Sequence, residues 1–518
     1  MSEKPLEAYL VSVGAAVPTG RLAVSDVVAG WDQSGGKGTL AVCGVDEDTL
    51  TLACSAAVKA LASADITASE IDGLWWGTAR APMPEGPSHA FLSAAIGLGH
   101  STIGLLASGS THAGIDAFLS AYDSILAGTA RTALVVASDA QIPGPGTGAE
   151  RSMGSGAVAF VLKAGSEGGS DAKSTTNAIG ARLIERATRV RPLLDRYRGE
   201  GADGTGDPYD ARLYREREFL PSVVSAVEAL SGSVGESVRW SVPDHDGKMG
   251  RLIAKAIRAT NVVSDGVQAK IGDAGSAAPF LGALSGLGSP GVVAIVGSGG
   301  GRSTVLVLEL SKALAGAEEA LSCLDGGSWG TRKLSYPSVL RSRGQLVPLS
   351  DPVPMGVPPG SAAFVRGSEE LLGLLGKRCS SCSMIAVPPS LHPVCPMCAC
   401  PDGEVIVLAR SGVVQTFVTN HTMPPPFEAP LPLAVVDLDD GARVMLQGMP
   451  EDAAMLEIGD RVELELRRYA LERGVPVYGF KVRRLANQGS ASGQRRDAEA
   501  LQAELVGVGS QSNTGKES

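Results

Sequence analysis

The chain has 518 residues, 44% of them apolar, with 66 glycines and a formal charge of −10. That length exceeds one ordinary core and predicts two or three domains. No apolar run approaches the 18 or so residues of a transmembrane helix, and no lysine- or arginine-rich block offers a face for nucleic acid, so membrane and nucleic-acid partners are set aside.

In chain order, the start MSEKPLEAYLVSVGAA lacks the basic segment and cleavage site of a signal peptide, so the expected address is cytoplasmic. AYLVSVGAAVP (8–18), DGLWWGTAR (72–80), ALVVASDA (133–140) and GAVAFVLKA (156–164) read as buried strands. LTLACSAAVKALASA (50–64) and HAGIDAFLSAYDSILAG (112–128) carry apolar residues at helical spacing. This alternation predicts an α/β domain with a mostly parallel sheet and helices on its faces. SVRWSVPD (237–244), GKMGRLIAKAIRA (247–259) and VVAIVGSGGGRSTVLVLEL (292–310) restate the same pattern and predict an internal duplication. The range 142–220, which contains a polar, glycine-rich stretch, reads as an inserted surface elaboration, and the proline-rich stretch 313–360 as an extended connector.

CSSC (379–382) and CPMC (395–398) follow a short helix. Two C-x-x-C knuckles let Cys379, Cys382, Cys395 and Cys398 converge on one ion, so a structural Zn2+ in a zinc ribbon is expected. His392 and Cys400 are spare donors nearby. Residues 404–486 hold five or six short strands, as in a small barrel, with nine Lys/Arg against twelve Asp/Glu, which disfavours single-stranded nucleic acid as a ligand. The polar tail 487–518 reads as disordered.

Two resemblances rest on these motifs. GKRCSSCSMIAVPPSLHPVCPMC, GVVQTFVTN, PLPLAVVDLDDGARVMLQG and LEIGDRVELEL, in that order, resemble the acyl-CoA-associated zinc-ribbon/OB-fold family over about 361–486. GSTHAGIDAFLSAYDSILAG, GDAGSAAPFLGAL and VGSGGGRSTVLVLEL resemble the thiolase superfamily, nearest the hydroxymethylglutaryl-CoA synthase and ketoacyl synthase III branch. The resemblance implies two βαβαβαββ halves in five αβαβα layers, divided at 1–165 and 166–312, then the connector, a helix and ribbon at 361–403, and an OB-fold barrel at 404–486. It also implies a homodimer through the first domain, acyl-CoA or CoA as substrate, and acyltransferase chemistry of the Claisen or retro-Claisen type.

Carried over position by position, the family's cysteine falls on Thr111, and its histidine on Pro243, with His245 two residues on. Its asparagine falls on Asp273, and the synthase glutamate on Ala79. The glycine-rich loop Gly297, Ser298, Gly299, Gly300 and Gly301 keeps its type and would lie near the thioester. A threonine hydroxyl lacks the accessible thiolate that makes cysteine a nucleophile near neutral pH, and it needs a positioned base. Pro243 and Ala79 supply none, and His112 would point about 100° around the helix from Thr111. Cys43, Cys54 and Cys323 read as buried or incidental thiols. The expectation is therefore a subunit with a degenerate site, lending architecture and a CoA-binding module to a separate cysteine-bearing thiolase. The alternatives are a self-sufficient synthase-like acyltransferase with a non-cysteine site, using Thr111, His245 and Asp273, and a nucleic-acid-binding module.

Overall fold

The computed structural model describes residues 6–165, 180–199, 204–206, 210–232, 237–346, 367, 369–422, 429–472 and 475–485. Two runs of the chain follow one plan. The first comprises β1 (Glu7–Ala16), α1 (Thr49–Ala64), β2 (Gly73–Thr78), α2 (Ser88–Ile96), β3 (Ile103–Ser108), α3 (Ala113–Leu126), β4 (Thr132–Ala140) and β5 (Ser155–Gly165). The second comprises β6 (Ala181–Val190), α4 (Leu220–Glu228), β7 (Arg239–Ser241), α5 (Met249–Ala256), β8 (Asn261–Val262), α6 (Ala278–Leu287), β9 (Gly291–Gly299) and β10 (Arg302–Leu310). The strand orders are β3-β2-β4-β5-β1 and β8-β7-β9-β10-β6, one pattern used twice. The halves meet where β1 pairs antiparallel with β6 at Tyr9–Arg182 and Leu10–Ala181.

Successive strand residues point to opposite sheet faces, and here both faces are apolar. In β4, Ala133, Val135 and Ala137 face a central core with Phe118 of α3 and Phe280 of α6, whereas Leu134 and Val136 face α1 and α2. In β9, Val293 and Ile295 join the central core, and Ala294 and Val296 face α4 and α5. Five layers result, with α3 and α6 in the middle. Phe118, Phe160 and Phe280 lock that layer, their ring centroids 5.3 to 6.0 Å apart.

Several readings of the sequence need correction. The sheet is not mostly parallel, since five of its nine strand pairings are antiparallel and four parallel. The range 142–220 is not one insertion, because it contains β5 and the strand β6. The inserted segment proper follows Val190 and leads into α4. The stretch from 313 is not an extended connector as far as it is described. Helix Ala317–Ser322 packs Ala317 and Ala320 into the central core, and Arg332–Leu334 adds a parallel strand beside Gly20–Ala23. Tyr336 then donates to the buried carboxylate of Glu150 at 2.8 Å. Residues 347–366 and the tail 487–518 lie outside the described residues.

The C-terminal module comprises a ribbon sheet of β11 (Leu375–Cys379), β12 (Ile385–Ala386) and β13 (Gly403–Val407). The barrel follows with β14 (Ser411–Asn420), β15 (Leu431–Leu438), β16 (Arg443–Gln447), β17 (Arg461–Glu472) and β18 (Val475–Arg484), in the order β16-β15-β14-β17-β18. A bridge between Gly448 and Val482 links the first and last strands of that order. The start of the 404–486 range, counted above with the barrel, belongs instead to the ribbon, where β13 pairs along the length of β11.

The barrel rests directly on the first half rather than standing off on a strap. Asp48, the N-cap of α1, accepts from the backbone of Leu50 and Thr51 through one oxygen and from the Tyr478 hydroxyl, at 2.8 Å, through the other. Lys481 reaches Asp46 at 2.8 Å, and Arg410 donates to the Ala95 carbonyl. Arg467, 4% exposed, lies between Glu465 at 2.5 Å and Glu47 at 3.6 Å.

Candidate functional site

The turn Ser110–His112 begins α3 and lies against the glycine-rich loop between β9 and β10. A Cβ on Gly299 would stand 1.9 Å from Thr111 Oγ1, so only glycine permits this approach. Thr111 is 8% exposed, and its hydroxyl donates to the Ser298 carbonyl at 3.2 Å. His112 points elsewhere and is fully buried, with Nε2 2.8 Å from Thr304 Oγ1 and Nδ1 3.1 Å from Asp116 Oδ1, without hydrogen-bond alignment to the latter. Asp116 in turn pairs with Arg302 at 2.8 Å, which ties α3 to β10.

Asp273 is 2% exposed and holds both His245 Nδ1 and Arg196 Nη2, each 2.5 Å from Oδ2, while Oδ1 accepts from Gly275 N. Burial raises its pKa, but Arg196 and then His245 outweigh burial and hold the carboxyl far below the ordinary carboxylate range. With Nδ1 engaged, the unbound nitrogen of His245 is Nε2, and the ring stands edge-on to Phe219 at 5.0 Å. His245, Asp195, Arg196, Tyr214 and Arg215 line a cleft of about 180 Å³ with Thr111 on its wall. Pro243 lies outside this cleft, in a narrow pocket of about 30 Å³ beside Asp273 and Ser298. The structure thus brings Thr111 and His245 to one cavity, with Asp273 behind His245, and records no hydrogen bond between Thr111 and His245.

Three polar residues around this site escaped the sequence reading. Asp195 and Arg196 come from the inserted segment, which carries no motif. Asp195 Oδ2 accepts from Gly300 N at 2.6 Å, and Arg196 Nη1 is buried without a hydrogen-bond partner. Asp139, at the end of a strand that was read, is fully buried. It accepts from Thr78 Oγ1, Ala79 N and Arg80 N on one side and from Ser276 N at 2.7 Å on the other. It therefore fastens the end of β2 to the GDAGS loop, and Ala79 supplies only its backbone N–H there. Of the other cysteines, Cys54 and Cys323 are buried and Cys43 half-buried; the Cys323 thiol donates to the Ala15 carbonyl at 3.3 Å.

In the ribbon, the sulfur atoms of Cys379, Cys382, Cys395 and Cys398 all lie within 4.8 Å of one another. The Cys379–Cys398 and Cys382–Cys395 pairs are each 3.6 Å apart. Four thiolates at about 2.3 Å from a tetrahedral zinc stand about 3.8 Å from each other, so donor set and spacing fit that ion. His392 and Cys400 line a small recess with Cys379 and Cys395 and are outside the four-sulfur cluster.

The fold and this site define a thiolase-like α/β domain followed by a four-cysteine ribbon and an OB-fold barrel. The family described as ChsH2, C-terminal OB-fold domain, matches residues 406–467. The chain belongs to the DUF35-domain scaffold family: over 130 residues it is 33% identical to the DUF35 domain-containing scaffold protein of Methanocaldococcus jannaschii, covering 24% of this chain and 89% of that one. A hydroxymethylglutaryl-CoA synthase of Pyrococcus horikoshii is 26% identical over 234 residues, 45% of this chain and 63% of its own length. A crystal structure of HMG-CoA synthase complexed with CoA superposes with a TM-score of 0.55 at 17% identity, covering 67% of this chain and 92% of that one. No helix among the described residues is long and apolar enough to cross a membrane.

Proposed function

We propose that this chain is a subunit of an acyl-CoA carbon–carbon bond-forming or -cleaving acyltransferase complex. Its first domain binds acyl-CoA without becoming acylated, and its C-terminal module, built around a structural zinc, serves as scaffold for a separate cysteine-bearing thiolase. One observation carries the reading. The cysteine slot holds a threonine whose hydroxyl is engaged with Ser298, and the Gly300 N–H beside it is already bound by Asp195. Covalent acyl transfer needs an activated nucleophile and free donors for the tetrahedral oxyanion, and here the threonine hydroxyl and the Gly300 N–H are both engaged.

Acyl-CoA as the ligand is supported by the likeness to hydroxymethylglutaryl-CoA synthases, one of them solved with CoA. A partner is supported by the scaffold naming of the DUF35 relatives. Homodimerisation is supported by β3, an edge strand that exposes Ile103 and Leu105 and can pair with a second copy. Arg443, Arg461 and Arg484 of the barrel are each paired with an aspartate, which supports leaving nucleic acid aside. Co-expression with a cysteine-bearing thiolase is expected to give a complex that survives gel filtration. Full acyl-transfer turnover by this chain alone would sink the subunit reading.

A self-sufficient acyltransferase with a non-cysteine site is the second reading. His245 on the cleft wall, backed by Asp273, favours it.

A further inference from the structure

Asp195 carries an unexplained cost. The segment after β6 runs along the glycine-rich loop, with Arg191 N donating to Gly301 O at 2.7 Å, and it delivers a carboxyl group that is only 9% exposed to the Gly300 N–H at 2.6 Å. Gly300 has φ +57, and a Cβ there would stand 2.5 Å from Ser110 Oγ, so its N–H direction is fixed by a turn that excludes side chains. A carboxylate this buried is costly unless its partners compensate in full or it is neutral. Burial pushes the Asp195 carboxyl up, and the Gly300 N–H, His245 and Arg196 pull it back only in part. Asp195 and His245 face the same cleft of about 180 Å³. The imidazole tautomer is set by Asp273 at Nδ1, and the tilt of the ring by Phe219.

Resting on the acyl-CoA reading above, we propose that Asp195 and His245 form a proton-donor and proton-acceptor pair acting on the α-carbon of an acyl-CoA held non-covalently in this cleft. The Asp195 carboxylic acid, backed by the Gly300 N–H, hydrogen-bonds the thioester carbonyl oxygen. His245 Nε2 removes an α-proton, the C–H electron pair becomes the C=C bond of an enolate, and the carbonyl π pair moves onto the oxygen held by Asp195. The proton rests on the imidazole, where Asp273 stabilises the resulting cation; return of a solvent-derived proton regenerates substrate. A neutral carboxylic acid thus relays the glycine-loop donor one group further into the cavity and replaces the direct backbone contact.

The test is solvent exchange of the α-protons of acetyl-CoA in D2O with the full-length, zinc-loaded protein, alongside calorimetric binding of acetyl-CoA. Wild type is expected to exchange above the buffer blank, with a rate that falls as rising pH ionises Asp195. Asp195→Ala should slow exchange about 100-fold, the size of losing one oxyanion donor. Asp195→Asn, whose amide still donates, should recover part of the rate and lose the high-pH decline, with melting temperature and zinc content unchanged. His245→Gln should abolish exchange at every pH. Binding without exchange, or a folded Asp195→Ala that exchanges at the wild-type rate, overturns the pair and leaves the subunit reading standing. No binding of acetyl-CoA overturns both.

Discussion

Replacing Tyr478 by phenylalanine probes how the barrel is seated on the first domain. The hydroxyl is lost to Asp48 Oδ2, while Oδ1 keeps its two backbone donors, so the cap of α1 survives. Arg468 Nη1 stays 3.8 Å from the exposed oxygen and compensates in part. A hydrogen bond to a charged group contributes about 1.5–3 kcal/mol, and with that compensation the expected cost is about 1–2 kcal/mol. Tyr478→Ala also removes a ring that is 6% exposed and stands edge-on to Phe91 at 6.4 Å, which raises the loss to about 3–5 kcal/mol. Because a multidomain chain need not unfold in one step, native-state hydrogen exchange is the suitable assay. For Tyr478→Phe, amides of 45–48 and of β18 should open about five to thirty times more often, while those of α3 and β9 stay unchanged. Unchanged protection in both variants would refute the described docking surface.

Purified protein should carry one zinc per chain, and Cys398→Ser should lower that content and unfold the ribbon, as read by metal analysis and proteolysis; four freely titrating thiols in the folded protein would contradict this. Asp273 has a pKa held below its ordinary 3.8, so its stabilisation is fully present above that value and is lost as pH falls through it toward the folded pKa. Asp273→Asn should flatten that acid limb of the melting curve. Asp273→Ala should cost about 3–5 kcal/mol at neutral pH, because Arg196 and His245 then lose their shared buried partner. Leu105→Lys at the β3 edge should convert the expected dimer to monomer by gel filtration without lowering the melting temperature by more than a few degrees.

The five-layer core was legible because β4 and β9 are continuous apolar runs flanked by helical spacing, and because GSGGG is a turn few folds tolerate. β6 was not, since ARLIERATRV exposes Arg182, Arg186 and Arg189 and reads as polar even though it stands between β1 and β10. The stretch from 313 misled for the opposite reason. Its prolines suggest extension, yet Tyr336 and Val339 are buried beneath Val27 and Leu40 in a small satellite core. At the site, counting from ALVVASD and from GDAGS singled out Thr111 and Asp273. What they touch could not, because Arg196 and Asp195 arrive from a segment with no periodicity and reach their partners across 77 and 105 residues of chain.

The central claim is that acyl-CoA chemistry here proceeds without an acyl-enzyme, and intact-mass analysis tests it most directly. Full-length protein incubated with acetyl-CoA, quenched in acid and weighed whole, should show the unmodified mass at every time point. A stoichiometric acetyl adduct mapped by peptide mass to Thr111 or Ser110 would contradict the account and make the threonine a nucleophile.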